Sequence, residues 1–230
     1  MPNPPFSEKG SIFESLPMIS IQTFAFNPLS ENTYVVSDET GEAVIIDPGC
    51  YEKDEQNTLD DYIASNGLKV RYLLNTHCHF DHVLGNYHVK EKYNVPLLMN
   101  LLEEPVLRSV KAYVSNFGFT HYEETLPDQF LQEGDIVKFG NTAWSVIFLP
   151  GHSPGHVGFY NPKENAIFSG DVLFEGSIGR TDLPGGDFDT LIASIQKKMF
   201  ALPDNTTVYP GHGATTTIGE EKISNPYCSL

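Results

Sequence analysis

Thr76-His77-Cys78-His79-Phe80-Asp81-His82 sets three histidines and a carboxylate within residues 77–82. No packing requirement explains that density. Neutral imidazoles and a carboxylate are the ligands that zinc, manganese and iron take. The preceding residues, Val70-Arg71-Tyr72-Leu73-Leu74-Asn75, read as a buried strand, and Val83 to Lys92 reads as a helix. The cluster therefore falls where a strand ends and a helix begins, a usual place for a site in a layered α/β fold. In extended backbone, side chains alternate faces with period two. His77 and His79 then point the same way and can chelate one metal, while Cys78 and Phe80 point away. Asp81 and His82, where the chain turns into the helix, are better placed for a second, neighbouring metal.

Working outward, the same arrangement recurs at other strand ends. Glu42 to Ile46 reads as a strand ending in Asp47-Pro48-Gly49. Ala143 to Leu149 ends in Pro150-Gly151-His152-Ser153-Pro154-Gly155-His156, a rigid, tightly turning loop. His152 follows its strand closely and is taken as the third ligand of the first metal; His156 reads as structural. Ala166 to Ser169 ends in Gly170-Asp171, a carboxylate able to bridge two metals, and Thr206 to Tyr209 ends in Pro210-Gly211-His212-Gly213. His212 completes the ligand set. For Asp47 a turn-forming role stands beside a role in the site. Arg180, in the glycine-rich segment from Phe174 to Asp187, is the strong cation near these elements. Its planar fork suits a substrate carboxylate, and an ion pair with Asp182 or Asp187 is the competing reading.

The remaining pattern is strand at Ile19 to Phe26 and Thr33 to Ser37, helix at Leu59 to Asn66, and strand at Val95 to Met99. Leu101 to Phe117 reads as a helix with Pro105 in its first turn. Asp135 to Phe139 and Ala143 to Leu149 form a hairpin, and Phe188 to Phe200 a helix. Residues 119–128 make an irregular aromatic and polar loop of a length fit to overhang a site. The tail after His212 reads as short and polar.

Bulk properties narrow the function. A chain of 230 residues with 40% hydrophobic content suits a globular protein with a sizeable core. Residues 1–17 read as an irregular arm and 18–230 as one domain. A net charge of −16 with no basic run argues against nucleic-acid partners. No apolar run approaches the roughly 18 residues of a membrane span, and Met1 to Leu16, with no basic start followed by an apolar segment, does not read as a secretory signal. Three scattered cysteines, Cys50, Cys78 and Cys228, do not form a disulfide framework, which fits a reducing cytoplasm.

Taken together, H-x-H-x-D-H, His152, Asp171, His212 and upstream Asp47 resemble the metallo-β-lactamase fold superfamily over about Thr33 to Gly213. The resemblance implies an αββα sandwich of two mixed β-sheets flanked by helices, with a two-metal site at one edge. One metal would take His77, His79 and His152, and the other Asp81, His82 and His212. Asp171 would bridge them, and Asp47 would lie beneath the site against the ligands. The Pro-Gly-His-Ser-Pro-Gly-His and Gly-Arg-Thr-Asp stretches resemble the glyoxalase II (hydroxyacylglutathione hydrolase) branch, in particular its small stand-alone members. Arg180 falls where that family has a cation for the glutathione glycine carboxylate, and Asp182 where it has a tyrosine. Only 18 residues follow His212, so the family's helical C-terminal glutathione-binding domain is expected to be absent.

The implied activity is metal-dependent hydrolysis of small-molecule thioesters of the S-lactoylglutathione type. Two divalent metals about 3.5 Å apart, zinc first with iron or manganese as alternatives, hold a water and lower its pKa. The resulting hydroxide attacks the thioester carbonyl, and Asp81 ligates one metal while orienting that nucleophile. A second reading is a persulfide dioxygenase with one iron held by His77, His152 and Asp171. A third is a non-catalytic binding module stabilised by metal.

Overall fold

The computed structural model describes residues 19–229; the arm expected at residues 1–17 lies outside them. Six strands form the first sheet: β1 (Ser20–Phe26), β2 (Glu31–Ser37), β3 (Glu42–Ile46), β4 (Lys69–Leu74), β5 (Leu97–Asn100) and β6 (Gln129–Leu131). They lie side by side in chain order, antiparallel from β1 to β3 and parallel from β3 to β6. The second sheet uses β7 (Ile136–Phe139), β8 (Thr142–Phe148), β9 (Val157–Asn161) and β10 (Ala166–Gly170). A small hairpin, β11 (Leu173–Phe174) with β12 (Ser177–Ile178), stands apart. β13 (Thr207–Pro210) and β14 (Thr216–Thr217) then complete the second sheet in the order β14-β13-β10-β9-β8-β7. Among the described residues six α-helices accompany the strands: α1 (Lys53–Ser65), α2 (Phe80–Val83), α3 (Asn86–Tyr93), α4 (Glu104–Tyr113), α5 (Phe188–Lys197) and α6 (Ile218–Ser224).

Period-two alternation divides the core into layers. On β3, Ala43 and Ile45 face one cluster with Leu59 of α1, Val89 of α3 and Leu107 of α4. Val44 and Ile46 face the other way, into an inter-sheet cluster with Val146, Val157, Phe159 and Trp144. The outer face of the second sheet packs Ile167 and Val208 on Leu191 and Ile195 of α5 and on Ile218 of α6. The result is the expected αββα sandwich. Trp144 anchors its centre, edge-on to Phe139 at 5.0 Å and stacked on Phe168 at 5.1 Å. Each such pair adds about 0.5–1.5 kcal/mol beyond the area it buries.

Several boundaries differ from the sequence expectation. The first helix starts at Lys53, not Leu59, because Glu52 and Glu55 form a reciprocal capping box ahead of a polar, mostly exposed turn. The helix expected from Val83 to Lys92 is two helices, interrupted at Leu84-Gly85. There Gly85 passes so close to Cys50 and Pro48 that a β-carbon would meet the Cys50 Sγ at 2.5 Å. The tail is not featureless: α6 is capped by Thr217, whose side chain accepts from the Glu220 N–H, and it buries Ile218 and Glu221. No helix among the described residues is long and apolar enough to cross a membrane.

Candidate metal centre

Strand ends from both sheets meet at one edge of the sandwich. On the first sheet, β3 ends in Asp47 and β4 continues through Asn75 and Thr76 into the histidine turn. Asp47 adopts φ +47°, a conformation that a non-glycine residue holds only under constraint. The constraint is visible. The Asp47 Oδ1 accepts the Thr76 backbone N–H at 2.7 Å, its Oδ2 accepts the Thr76 hydroxyl, and its own N–H donates to Leu74 O at 2.9 Å. On the second sheet, β8 leads to His152, β10 to Asp171 and β13 to His212. Gly170 turns at φ +50° against Thr76, and Gly211 passes so near Asp171 and His82 that a side chain there would collide with both. The two sheets are tied together here by Val157 N–H donating to Thr76 O at 2.9 Å and Asn32 N–H donating to Gly211 O at 2.7 Å.

Two sets of donors result. In the first, the His79 Nδ1 lies 2.8 Å from the His152 Nε2, which is 3.2 Å from the His77 Nε2. In the second, the His212 Nε2 is 3.2 Å and the His82 Nε2 3.7 Å from the Asp81 Oδ2. Asp171 stands between the sets, with Oδ1 3.5 Å from the His82 Nε2 and Oδ2 3.6 Å from the His152 Nε2 and 3.7 Å from the His212 Nε2. All seven side chains expected from the sequence are therefore brought together.

The opposite ring nitrogens are already engaged, which fixes the tautomers. His152 Nδ1 donates to Arg180 O at 2.7 Å, His212 Nδ1 to Leu29 O at 3.2 Å, and His82 Nδ1 to the Asp47 Oδ2 at 3.3 Å. His77 Nδ1 faces the Thr76 hydroxyl at 3.1 Å. Asp47, His77 and His82 also fall close enough to hold an ion, but the Asp47 oxygens are occupied by Thr76 and His82, so Asp47 supports the donors from beneath.

The inward-facing atoms suit divalent cations. Three imidazole nitrogens pointing at one another cannot all be satisfied by hydrogen bonds, and His82 Nε2 and Asp171 Oδ1 are buried with no hydrogen-bond partner. Together the clusters fit a dinuclear site. Electrostatics agree. Burial and the neighbouring imidazoles hold His77 well below the usual histidine range and lower His79 to about 4. Burial likewise lowers His152. These rings are neutral and ready to ligate. Burial opposes charge on His82 too, but Asp171, Asp81 and Asp47 outweigh it and raise its pKa well above the usual value. Burial would raise Asp81 and Asp171, yet the His82 ring opposite them keeps both carboxyls low, hence ionised.

Other expectations meet a mixed outcome. Cys78 does point away: it is buried, with its Sγ 3.5 Å from the Met99 sulfur. His156 contacts the donors without joining them, its Nε2 accepting the Asp171 N–H at 3.1 Å. The Arg180 guanidinium is exposed and makes the competing ion pair, two hydrogen bonds of 2.7 Å to Asp182. Residues 119–128 pack beside the histidine turn: Phe119 meets Tyr51 at 4.9 Å and Phe80 at 5.5 Å, and the His121 N–H donates to the Tyr51 hydroxyl. Two buried carboxylates were not anticipated. Glu31 lies 3.7 Å from the His82 Nδ1 and pairs with His212 in an isolated β-bridge. Glu103 holds the loops of the three-histidine set. Glu31 stands between Ser30 and Asn32, and Glu103 stands beside Glu104 after two leucines; no local pattern marks either, and only the fold buries them.

Comparison with known proteins agrees with this architecture. The chain is 38% identical to the hydroxyacylglutathione hydrolase GloC of Haemophilus influenzae, over 91% of this chain and 98% of that protein. It is 35% identical to the mitochondrial persulfide dioxygenase ETHE1 of Bos taurus, over 86% of this chain and 71% of that protein. Among solved structures, the BLEG-1 B3 metallo-beta-lactamase superposes with a TM-score of 0.81 at 36% identity, covering 92% of this chain and all of that one. TTHA1623 in a di-iron-bound form gives 0.80 at 40% identity, covering 90% of this chain and 99% of that one. The profile of the metallo-beta-lactamase superfamily matches residues 26–212, so the paired sheets and the shared donor edge have a common origin: this chain belongs to the metallo-beta-lactamase superfamily.

Proposed function

We propose that the protein is a metal-dependent hydrolase of small thioesters, with S-lactoylglutathione-type molecules as its substrate class. The observation that carries this reading is the position of Asp171, one carboxylate lying between two complete donor sets. A closed four-ligand structural site would need neither a second set nor a shared carboxylate. The match to GloC along nearly the whole of both chains supports the substrate class.

His77, His79 and His152 would hold one cation, and Asp81, His82 and His212 the other, with Asp171 shared. Bound divalent cations, with zinc as the first choice and iron or manganese as alternatives, supply Lewis acidity that activates water and polarises a carbonyl. The chain does the rest. Asp81, kept ionised at neutral pH, accepts a hydrogen bond from the attacking water and aims its lone pair at the thioester carbon. No side-chain nucleophile is required, and the leaving thiolate departs without a proton from the protein. Arg180 stands at the rim and exchanges its Asp182 partner for a carboxylate of the substrate.

A single-iron persulfide dioxygenase is the second reading, favoured by the similarity to ETHE1; His77, His152 and Asp171 would be its ligands. Elemental analysis of protein prepared without added metal, followed by thioester assays, separates the two. Two metal equivalents per chain and S-lactoylglutathione hydrolysis are expected. One iron per chain with oxygen uptake on glutathione persulfide would overturn the hydrolase.

A further inference from the structure

Glu103 is fully buried, at the end of a 3₁₀ turn (Leu101–Glu103) that leads into α4. Its Oε2 accepts the Cys78 backbone N–H at 2.8 Å. Its Oε1 accepts the Ser153 hydroxyl at 2.5 Å and the Gly155 backbone N–H at 2.7 Å. Cys78 sits between His77 and His79, and Ser153 follows His152. One carboxylate thus fastens the loop from the first sheet to the loop from the second, and these two loops carry the whole three-histidine set. Gly155 is shaped for it: a β-carbon there would meet Glu103 and Asn100 at 2.8–2.9 Å.

We infer that Glu103 is a positioning residue that sets the spacing of His77, His79 and His152, and so determines how tightly that half of the centre holds its metal. Three donors and no acceptor face it. A carboxylate satisfies all three; a carboxamide offers one oxygen and turns its own N–H groups on a donor. The imidazole nitrogens it controls lie 2.8–3.2 Å apart. A small shift of one loop therefore changes the coordination geometry, and losses of supporting hydrogen bonds typically cost about 10–100-fold in metal affinity. The inference rests on reading the three histidines as one metal-binding set, as in the hydrolase reading; in the single-iron reading the same clamp would position His77 and His152.

The test is Zn²⁺ affinity of the full-length holoprotein, measured by competition with a chromophoric chelator. Glu103→Gln is compared with wild type and with Asp38→Asn. Asp38 is a buried clamp holding Thr40, Asn141 and Thr142 at the opposite edge of the sheets. Repeating the titration in a His212→Ala background identifies the three-histidine set. Glu103→Gln is expected to weaken that set about tenfold or more and to leave the other set within about twofold. Asp38→Asn is expected to lower thermal stability and leave both affinities unchanged. Equal losses at both sets, or no loss, would overturn the inference. Should Glu103→Gln not accumulate folded, Ser153→Ala, which removes one of the three donors, carries the test. A selective loss supports the inference and an unchanged affinity overturns it. Wild-type protein that binds no Zn²⁺ at the three histidines would instead sink the metal-site reading itself.

Discussion

The imidazole of His156 lies against that of His77, with ring centroids 4.7 Å apart and planes inclined by 18°. With its Nε2 accepting the Asp171 N–H, His156 holds a donor from each sheet while staying out of the ligand set. His156→Ala would leave a cavity behind His77 and strand a buried N–H. A loss of about 2–4 kcal/mol is expected, read by thermal or denaturant unfolding. His156→Gln restores an acceptor and should recover part of it. Wild-type stability in the alanine variant would show that neither contact matters.

Asp171 shares its oxygens between the donor sets. Asp171→Ala should therefore reduce metal content from two equivalents to at most one and cut thioesterase activity on the order of 100-fold or more, since losing a ligand exceeds losing a supporting contact. Metal analysis beside steady-state rates checks both parts. Retention of two metals with full activity would remove the bridge from the account.

Arg180 and Asp182 give opposite expectations. Arg180→Ala should raise KM for a glutathione thioester about tenfold, the scale of one lost charge-assisted contact, and leave kcat nearly unchanged. Asp182→Ala frees the guanidinium and should lower KM. A truncated thioester without the glycine carboxylate should be indifferent to both substitutions. An Arg180→Ala enzyme with wild-type KM would leave the guanidinium with its surface ion pair alone.

In the metal-free protein the buried neutral imidazoles should lose their contribution to stability on mild acidification. His77, His79, His152 and His156 all have folded-state pKa values lowered by burial, with His79 at about 4. Unfolded, each titrates near 6.5. Between those values each of these sites binds more protons in the unfolded chain, so its contribution is complete above about 6.5 and falls as pH drops toward 4. Burial raises Glu31 and Glu103, which act in the opposite direction. His82 and His212, raised against burial by the carboxylates facing them, act in that opposite direction too, so the neutral imidazoles are tested by difference. Between pH 7 and pH 4.5 the melting temperature of chelator-treated wild type should fall further than that of His79→Gln; parallel profiles would contradict the neutral-imidazole description.

Much of this was legible from the chain because the decisive signals are local. Alternation along Glu42 to Ile46 sorts Ala43 and Ile45 from Val44 and Ile46 onto separate layers, and the donors sit where apolar runs stop. What escaped is non-local. The polar residues 53–58 carry no apolar periodicity, so the start of α1 shows only in its cap. The break at Gly85 depends on Cys50, 35 residues earlier. Glu103 is an ordinary helix-start acid until Ser153, 50 residues later, folds onto it.

Four of the seven donors come from one turn on the first sheet, and the other three from separate strand ends on the second. A cation seated among them would be a cross-link. It would rivet the open end of the sandwich much as a disulfide staples a loop, but reversibly and under the control of metal supply. Neither sheet can assemble such a joint alone, so a filled centre would certify that both halves of the chain have met in register.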